Sequence, residues 1–352
     1  MKAENPVSPL AVLICGYNQR VYLPDCLEAL RAQRQRDFSI YYLDNDSSDG
    51  SAEYVETNHP ECVVVRLGAN LGFAAANNEG MRRAFAAGAE FCVLLNTDTV
   101  ATPGFLEELI GSYRALGVQG TRVGLVQATV LLHEERDRIN TTGNALHYLG
   151  YGFCRNHHEL HDSQLADRRI LSASGAAVLV ARTYFETVDG FEDAFFIYNE
   201  DQDLSWRGWL LGYTHYVSAK SIVYHKYDYR EHPFKMYHSE KNRAMMLVQN
   251  YSTRTLCVLL PMLILNEVMI SGHALLNGWL GAKLRSYGYV LKSWRPILAR
   301  RRVIAATRTI SDAAIFPMMD SALDFHAYRG VLVRRVVSPL MRAYHRFASL
   351  WV

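Results

Sequence analysis

The stretch FCVLLNTDTV, residues 91–100, carries five apolar residues directly into the polar sequence NTDT. A short apolar run of this kind predicts a strand that is buried on both faces of a sheet. In open α/β sheets, ligands bind in the crevice at the carboxyl ends of such strands. Asp98 would therefore either cap the next helix or bind a charged ligand. Thr102, just before Pro103, is better placed as the cap, so we assign Asp98 to ligand binding.

The same order of strand and helix repeats along the first half of the chain. The predicted strands LAVLICGYN, SIYYLD, CVVVRLG and FCVLLN alternate with the predicted helices PDCLEALRAQ, SAEYVETN and FAAANNEGMRRAFAAG. This alternation indicates βαβ units and a mostly parallel α/β sheet. A looser region rich in Gly, His, Tyr and Asn is expected from about Gln127 to Asp167. The pattern resumes at ILSASGAAVLVAR and ends with the predicted strand THYVSAKSIVYH.

Length, composition and charge indicate the class of protein and the kind of surface that it meets. The chain has 352 residues, 49% of them hydrophobic and 20% charged, which is ordinary for a folded globular protein. Its net charge of +2 hides an asymmetry, because residues 246–352 contain 14 Lys and Arg against 4 Asp and Glu. Such a basic module is expected to meet an anionic surface, either a membrane or a nucleic acid. The six cysteines include no CxxC pair, which indicates a reducing compartment, and the first ten residues do not read as a signal peptide.

The last third of the chain is predicted to be a helical extension. The run LCVLLPMLILNEVMISGHALLNGWLGAKL is strongly apolar, but Pro261, Asn266 and Glu267 interrupt it. A membrane-spanning helix takes roughly 20 consecutive apolar residues, so we do not expect one here. The segment KSWRPILARRRVIAATR mixes apolar residues with arginines, as do helices that lie in a membrane interface; the alternative is a basic helical subdomain packed on protein. We therefore expect a catalytic domain over residues 1–245 and a membrane-associating or oligomerising extension over residues 246–352.

Three further loops carry polar residues where predicted strands end. They contribute Tyr17 and Asn18 after the first strand, Asp44 and Asn45 after the second, and Asn70, Gly72 and Asn77 after the third. Each could be an ordinary turn or a solvated helix residue, because Asp, Asn and Gly are turn formers. Yet the loops belong to one edge of the predicted sheet, so a single nucleotide could contact all of them. Asp44 would bond a ribose or base edge, the Gly72 turn would allow close approach, and Asp98 would hold a divalent metal on a diphosphate.

Other motifs narrow the class of protein. No GxxxxGK[ST] phosphate loop occurs, and no GxGxxG follows the first predicted strand, so a P-loop enzyme and a dinucleotide dehydrogenase are excluded. The tract CRNHHELHD holds one Cys and three His, but its spacing matches no strong zinc pattern, and we interpret it as a solvated loop.

A second acidic centre lies in FFIYNEDQDLSWRGWLLG. Glu200, Asp201 and Asp203 come together at a predicted helix start, where carboxylates also interact favourably with the helix dipole. Adjacent Glu200 and Asp201 would repel each other unless one carboxyl has a raised pKa or a partner. A carboxylate with a tuned pKa is what a general base needs. Downstream, the predicted strand SIVYH ends at His225, which is either structural or part of a metal site with Asp98.

Several of these segments together resemble a known family. CGYN, LDNDSSDGS, NLGFAAANNEG, LLNTDT, SGAAVLVAR, GFEDAFFIYNEDQDLSWR and VYH resemble motifs of the family-two inverting glycosyltransferases, especially the rhamnosyltransferase-like branch of bacterial surface polysaccharide synthesis. The resemblance extends over about residues 9–245 with the motifs in the same order. It implies a GT-A fold, in which one α/β domain binds a nucleotide sugar. The C-terminal extension is similar to those of that branch in composition only.

The resemblance also implies roles for individual residues. The residues implied to bind the nucleotide sugar are Tyr17, Asn18, Asp44, Asn45, Asn70, Gly72, Asn77, Asn96, Asp98, Gly175 and Ala176. Asp98 and His225 would hold Mg²⁺ or Mn²⁺. Asn96 stands where the family's DxD motif has its first Asp, which leaves one metal carboxylate and makes His225 more important.

The implied chemistry is one in-line displacement that inverts the anomeric centre. Asp201 would take the proton from the acceptor hydroxyl, with Glu200 orienting the acceptor. Trp206 and Arg207 would serve the acceptor or the diphosphate, although Arg207 could equally pair with Asp203. The implied donor is a nucleotide-diphosphate sugar, with dTDP-rhamnose favoured over UDP- or GDP-linked sugars, and the acceptor is lipid-linked or a glycan.

The expected location is the cytoplasmic face of the inner membrane, where the basic extension would bind anionic lipid and not nucleic acid, and could also form a homo-oligomer. Two alternatives stay open. A sugar nucleotidyltransferase should show a Gly-rich, Arg-containing loop after the first strand, and CGYNQR does not supply one. A nucleotide-sugar-binding scaffold without turnover would keep the same binding loops.

Overall fold

A computed structural model describes residues 8–226, 232–322 and 333–352. The contacts divide these residues into two compact units. The sheet unit comprises residues 8–143, 154–196 and 213–226, and the helical unit comprises residues 144–153, 197–212, 232–322 and 333–352. The division into a catalytic domain over residues 1–245 and an extension over residues 246–352 stays a prediction.

Strands and helices follow one another in the predicted order. The strands are β1 (Leu10–Gly16), β2 (Ser39–Asp44), β3 (Cys62–Arg66), β4 (Phe91–Leu95), β5 (Thr99–Ala101), β6 (Val123–Leu132), β7 (Ile139–Thr141), β8 (Asn144–Leu146), β9 (Gly152–Cys154), β10 (Arg168–Ile170), β11 (Ala177–Ala181) and β12 (Thr214–His225). The helices are α1 (Leu23–Arg31), α2 (Ser51–Asn58), α3 (Gly72–Ala86), α4 (Phe105–Val118), α5 (Arg182–Val188), α6 (Glu200–Leu210), α7 (Pro233–Asn250), α8 (Thr253–Leu276), α9 (Leu280–Lys292), α10 (Trp294–Thr307), α11 (Asp312–Ile315) and α12 (Ser338–Ala348).

The twelve described strands form one large sheet and a small one in which β8 pairs with β9. Among the described residues, ten strands form a sheet in the order β10-β12-β6-β11-β4-β1-β2-β3, with β5 paired to β12 and β7 paired to β6. The neighbours β3, β2, β1 and β4 are parallel, while β11 runs antiparallel between β4 and β6. The predicted α/β class with a mostly parallel sheet is confirmed. The carboxyl ends of four adjacent parallel strands consequently lie along one edge.

The core of the sheet unit explains why its strands read as continuous apolar runs. Helices cover β1 and β4, and Val12 and Val93 are fully buried. Helix α1 turns the face formed by Leu23, Leu27 and Leu30 into this core, at the spacing of an amphipathic helix. Each such side chain contributes about 1.5–3 kcal/mol when it is fully buried. The buried sheet is thus a rigid support for the loops at its edge.

Two local predictions in the sheet unit are wrong. Thr102 does not cap α4, since the helix begins at Phe105 after Gly104 and the Thr102 hydroxyl donates to the carbonyl of Ile222 at 2.9 Å. The looser region does not begin at Gln127, because β6 continues to Leu132 and is buried along its whole length. Polar residues fit this buried strand because they are bonded, as when Gln127 Oε1 accepts from the Ser174 N–H at 2.6 Å.

The helical unit corrects the expectation of a broken apolar run. Helix α8 is continuous over 24 residues and includes Pro261. By length and composition it is the one helix among the described residues that could cross a membrane. Its other two apparent interruptions are paired with neighbours: the Asn266 amide donates to the Tyr151 hydroxyl at 2.9 Å, and Glu267 forms ion pairs with Arg243 and Lys283. Residues that looked like breaks therefore tie α8 to the rest of its unit.

A buried ion cluster joins α7, α8 and α9. Glu240 and Lys283 are almost fully buried and paired, and Arg243 bridges Glu240 to Glu267. Burial alone would raise the pKa of Glu267, but the two cations lower it to about 2. Removing one partner of such a cluster would leave an uncompensated buried charge, which is strongly destabilising. The cluster thus fixes how the three helices pack.

Candidate functional site

The loops after β2 and β3 hold each other in place. The Asn45 amide donates to Asn70 Oδ1 at 3.0 Å, while Asn45 Oδ1 accepts from the Leu71 N–H at 2.8 Å. Asn70 Oδ1 also accepts from the Gly72 N–H at 3.0 Å. The structure thus brings together the two predicted asparagines and the glycine. The hydrogen bonds of the Asn45 and Asn70 side chains fix the conformation of this loop.

Gly72 begins α3 in a conformation that requires glycine. Its φ is +77°, and a Cβ at this position would lie 2.5 Å from both the ring and the carbonyl oxygen of Phe196. The Phe196 carbonyl also accepts from the Ala74 N–H at 3.0 Å. The close approach therefore serves the protein itself, by seating Phe196 on the start of α3.

The other predicted nucleoside residues differ in exposure. Tyr17 is 48% exposed, so its ring is available to a ligand. Asn18 has a φ of 53°, and its Oδ1 accepts from the Ser48 N–H at 2.8 Å, which joins the loops after β1 and β2. Asp44 is 4% exposed at the end of β2. Asn77 is not solvated, since it is buried in α3 and donates to the Phe73 carbonyl.

The end of β4 meets the start of β11. The Asn96 N–H donates to the Ala176 carbonyl at 2.9 Å, and the Asn96 carbonyl accepts from the Thr99 hydroxyl at 2.7 Å. Antiparallel pairing of Ala177 with Leu95 fixes this junction. The predicted segment of Gly175 and Ala176 therefore lies directly beside the NTD sequence.

Asp98 and His225 are brought together by a strand pair. The register of β5 and β12 sets His225 opposite Thr99, the residue after Asp98. His225 Nε2 lies 3.2 Å from Asp98 Oδ1, and this buried oxygen has no hydrogen-bond partner within the part of the chain that the structure describes. The two atoms are therefore close without hydrogen-bond geometry. This arrangement is expected when both atoms face a shared cation.

The two side chains fit a cation that is shared with a substrate. Among the described residues, no three His, Cys, Asp or Glu side chains form a group that could hold a metal ion alone. Asp98 and His225 supply one oxygen and one nitrogen. Mg²⁺ is usually held by one or two carboxylates together with substrate phosphates, and Mn²⁺ also suits oxygen ligands. The pair thus suits a metal whose remaining ligands come from a diphosphate and water.

Sequence reasoning missed Asn140, which lies on the other side of the His225 ring. Its Oδ1 is 2.9 Å from His225 Nδ1, and the two residues are 85 positions apart. A metal-binding histidine almost always donates its second ring N–H to an oxygen, which fixes its tautomer and orientation. With Nδ1–H donating to Asn140, the Nε2 lone pair lies on the side of Asp98. A contact over this separation leaves no local signal in the sequence.

The His-rich tract supports the strand that carries Asn140. His157 Nδ1 lies 3.0 Å from the Asn140 carbonyl oxygen, and Arg138 forms an isolated bridge with Leu160. The Ile139 N–H donates to the Glu159 carbonyl at 2.9 Å. The tract therefore pairs with β7 and holds it in position.

The second acidic centre starts α6 in the helical unit. Glu200 is 6% exposed, and its Oε2 has no hydrogen-bond partner among the described residues. Burial, and then the charge of Asp201, raise the pKa of Glu200 well above its usual value. Asp201 Oδ1 accepts from the Gln202 N–H at 2.8 Å. The raised pKa expected of one of these two carboxyls thus belongs to Glu200.

The turn before this centre has an unusual backbone. Phe196 has φ 67° and ψ −67°, Tyr198 has φ 70°, and Asn199 has φ 63°. Positive φ values are uncommon for residues other than glycine and cost about 1–3 kcal/mol each for bulky side chains. Such strain persists only where surrounding contacts hold it, and it concentrates at functional sites. Nothing in the sequence FIYN predicted it.

Arg207 and Trp206 have clear packing partners. Arg207 Nε donates to Asp203 Oδ2 at 2.7 Å, and both side chains are buried. Of the two pairings that the sequence left open, this one is present. Trp206 is 1% exposed and packs edge-to-face on Tyr251 with ring centroids 4.6 Å apart. Their assignment to the acceptor or the diphosphate stays a prediction.

The predicted residues divide between the two units. The sheet unit holds the eleven residues implied to bind the nucleotide sugar, including Asp98, together with His225; the helical unit holds Glu200, Asp201, Trp206 and Arg207. Within the sheet unit, the loops after β1 to β4 lie along one edge, as the sequence indicated. Their roles in binding and catalysis stay predictions.

Comparison with known proteins gives this geometry a context. Residues 11–170 match the family model described as glycosyl transferase family 2. The chain is 26% identical over 236 residues to N-acetylglucosaminyl-diphospho-decaprenol L-rhamnosyltransferase of Mycobacterium tuberculosis (strain CDC 1551 / Oshkosh), and the match covers 62% of this chain and 76% of the relative. The same protein of strain H37Rv matches equally.

A solved structure supports the fold. The crystal structure of GalNAc-T7 with UDP, GalNAc and Mn²⁺ matches this chain with a TM-score of 0.53 and 13% identity, over 70% of this chain. The chain spans about half of that protein, 48% of its length. At this identity the likeness concerns the fold alone. The fold is GT-A with a helical C-terminal region, as predicted.

Proposed function

We propose that this glycosyltransferase, whose residues 11–170 match the family 2 model, is metal-dependent and inverting. It would transfer L-rhamnose from dTDP-rhamnose to a lipid-linked acceptor. The relative in Mycobacterium tuberculosis is named for rhamnosyl transfer onto a diphospho-decaprenol-linked sugar. The observation that carries the proposal is the pair formed by Asp98 and His225 at the edge of the sheet.

The donor binds along the loops after β1 to β4. Tyr17 offers an exposed ring to the base, and Asp44 offers a carboxylate to the nucleoside at the end of the adjacent strand. The loop fixed by Asn45 and Asn70 keeps these groups in place without the donor. Pre-formed loops of this kind reduce the ordering cost of binding.

Asp98 and His225 would hold Mg²⁺ or Mn²⁺, with Asn140 orienting the ring. When bound, such a cation neutralises the charge that develops on the leaving diphosphate and orients the substrate. The protein's part is to present one oxygen and one nitrogen in a fixed geometry.

Asp201 acts as the general base. It takes the proton of the acceptor hydroxyl while that oxygen attacks the anomeric carbon, on the face opposite the leaving diphosphate, so the configuration inverts. Burial and the charge of Asp201 raise the pKa of Glu200, which suits this side chain to donating a hydrogen bond to an acceptor oxygen. Neighbouring carboxyls in different surroundings are a recurrent division of acid and base roles.

The exposed face of α8 supports an acceptor delivered by a membrane. Leu260, Ile264 and Val268 are 53%, 57% and 66% exposed and recur every fourth residue, so they form one stripe. The opposite face is packed in the helical unit, and Glu267 is bound to two cations there. A helix with one face held by protein and one apolar face in solvent fits a position in the plane of the membrane interface, at its cytoplasmic surface.

Basic side chains add attraction for anionic lipid. In and just before α10, Lys292, Arg295 and Arg302 are exposed beside the half-exposed Trp294. Each Lys or Arg near an anionic leaflet contributes about 1 kcal/mol of attraction. The combination favours a lipid surface over a nucleic acid, which would not reward the apolar stripe.

The first test is calorimetric titration with dTDP, UDP and GDP, each with and without Mn²⁺, followed by transfer assays from the matching sugar donor to a polyprenyl-diphosphate-linked N-acetylglucosamine. We expect dTDP to bind only with Mn²⁺ and rhamnose to be transferred. Binding of UDP or GDP, with no binding of dTDP, would reassign the nucleotide of the donor. Binding without any transfer would favour the scaffold, and no binding by a folded sample would remove the proposal.

The membrane part has its own test. In flotation with anionic vesicles, the double variant Ile264→Asp/Val268→Asp should lower the bound fraction about tenfold or more, because two apolar side chains lose their burial in lipid. Val118→Asp is the matched control, since Val118 is 89% exposed in the sheet unit. Flotation of the double variant at the wild-type level would contradict the assignment, and a change in sedimentation mass instead would point to a second copy of the chain.

A further inference from the structure

The turn that precedes Glu200 and Asp201 is held by a side chain from another helix. Asn242 of α7 is fully buried, and its amide nitrogen lies 2.9 Å from the Ile197 carbonyl and 2.6 Å from the Tyr198 carbonyl. One amide group with two N–H donors thus serves two successive carbonyls. These carbonyls belong to the segment in which Tyr198 and Asn199 have positive φ.

A second asparagine on the same helix reaches the first turn of α6. The Asn250 amide donates to Asp203 Oδ1 at 2.8 Å, and the other oxygen of Asp203 accepts from Arg207. Asn242 and Asn250 are eight residues apart on α7, a spacing that lies within one side of a helix. Helix α7 therefore contacts the acidic centre on both sides, before it through Ile197 and Tyr198 and after it through Asp203.

These contacts surround a helix start that lacks a side-chain cap. Asn199 is the N-cap residue of α6 but its side chain makes no cap hydrogen bond, and its amide instead donates to Gln202 Oε1 at 2.6 Å. A strained and uncapped start does not keep its conformation by local preference. Contacts from outside the segment must therefore supply the stabilisation, and Asn242 supplies two hydrogen bonds.

We propose that Asn242 is a positioning residue, which clamps the Ile197–Tyr198 backbone so that Glu200 and Asp201 are presented in one fixed geometry to the acceptor. The proposal rests on the proposed function, in that it takes Asp201 to be the base. Asn250 is the second anchor, acting through Asp203. Asn242 itself touches neither donor nor acceptor and acts through the turn.

The proposal predicts that loss of Asn242 changes the position of Glu200 and Asp201 but not the binding of the donor. Loss of the two hydrogen bonds would let the turn relax toward ordinary backbone conformations, which would move the two carboxyls that follow it. A displacement of about 1 Å in a catalytic group can lower the rate by about 10²-fold. Donor binding depends on loops of the sheet unit, so it would not change.

Hydrogen exchange measured by mass spectrometry tests the clamp without any substrate. In Asn242→Ala, amides of residues 197–203 should exchange about tenfold faster or more than in the wild type, because the turn loses two hydrogen bonds that oppose its local opening. Asn266→Ala is the matched control, because Asn266 is also buried in the helical unit and bonds Tyr151. It should lower the melting temperature without affecting residues 197–203.

Kinetics then test the positioning role, with the donor that calorimetry selects. Asn242→Ala should lower kcat by about 10–100-fold and leave the KM for the donor within about twofold, as expected when only transition-state geometry is lost. Asn266→Ala should keep the wild-type kcat. If Asn242→Ala does not fold, Asn242→Ser, which keeps one donor, replaces it in both experiments and should give smaller changes in the same direction.

The outcomes distinguish this proposal from the proposed function. Unchanged exchange at residues 197–203 in the variant overturns the clamp, whether or not the protein is active. Faster exchange with a wild-type kcat overturns the positioning role. A wild-type protein that transfers no sugar removes the proposed function, and exchange alone then decides whether Asn242 holds the turn.

Discussion

The two acidic centres of this protein differ in everything except the carboxylate. In the sheet unit, Asp98 is partly exposed at a strand end, and an imidazole nitrogen lies 3.2 Å from its oxygen. In the helical unit, Glu200 is buried beside Asp201 in the first turn of a helix, after a strained turn. The first surroundings favour a bound cation, and the second favour a bound proton. The surroundings of a carboxylate, more than its residue type, therefore determine its chemistry.

The largest effect is expected from removing the carboxylate that is proposed as the general base. Asp201→Asn should lower kcat by about 10²–10⁴-fold, because general-base assistance is lost. The dissociation constant for the nucleotide, measured by calorimetry, should stay near the wild-type value. A wild-type rate in Asp201→Asn would show that Asp201 is not the base. Loss of nucleotide binding in the same variant would contradict the assignment of binding to the sheet unit and of proton transfer to the helical unit.

The next effect concerns the centre in the sheet unit. Asn140→Leu should weaken Mn²⁺ binding about 10–100-fold, the usual result of losing the partner that orients a metal-binding histidine. Asn140→Asp should retain binding, since a carboxylate also accepts from Nδ1–H. Calorimetry with Mn²⁺ in the presence of the nucleotide measures both. Asn78→Ala, a buried asparagine of α3, controls for general destabilisation. Equal Mn²⁺ affinities of the wild type and Asn140→Leu would show that Asn140 does not orient His225 for metal binding.

The smallest effect is a dependence of stability on pH. Glu200 has a raised pKa in the folded protein, so its stabilising contribution is fully present below the ordinary glutamate pKa and is lost as pH rises through the raised value. Glu200→Gln removes this loss. The free energy of unfolding of Glu200→Gln, relative to that of the wild type, should therefore increase as pH rises from 5 to 8. The increase is about 1.4 kcal/mol for each pKa unit of the shift.

Thermal denaturation of both proteins across this pH range measures the difference. The exposed Glu186→Gln variant is the control for loss of a charge alone. A constant difference between Glu200→Gln and the wild type at all pH values would mean that Glu200 is ionised in the folded protein like any surface carboxylate. This result would contradict the conclusion that the surroundings of Glu200 in the helical unit favour a bound proton.

Local patterns were sufficient for many elements. The strand SIYYLD and the helix SAEYVETN coincide with β2 and α2, because their apolar residues follow the periods of strand and helix closely. The edge of the sheet was predictable too, since strands that alternate with helices run parallel and bring their carboxyl ends together. Asp44, Asn70 and Asp98 could be assigned to that edge for this reason alone.

The errors share one physical cause. Asn266 and Glu267 interrupt an apolar run, yet both lie in the continuous helix α8, where Asn266 bonds Tyr151 and Glu267 forms ion pairs with Arg243 and Lys283. Gln127 looks like a loop residue, yet β6 buries it because its amide finds bonds to the backbone. In each case a contact with a residue distant in sequence outweighed the local preference.

Periodicity and residue type were enough to predict the α/β class, the edge that carries the polar loops, and the presence of two acidic centres. The groups that surround each centre could be identified only in the folded chain. The pairing of β5 with β12 brings His225 to Asp98, Asn140 arrives from β7, and α7 brings Asn242 to the turn before Glu200. Such contacts join positions far apart in the chain, and burial and distance, which set charge and proton affinity, exist only once the chain is folded.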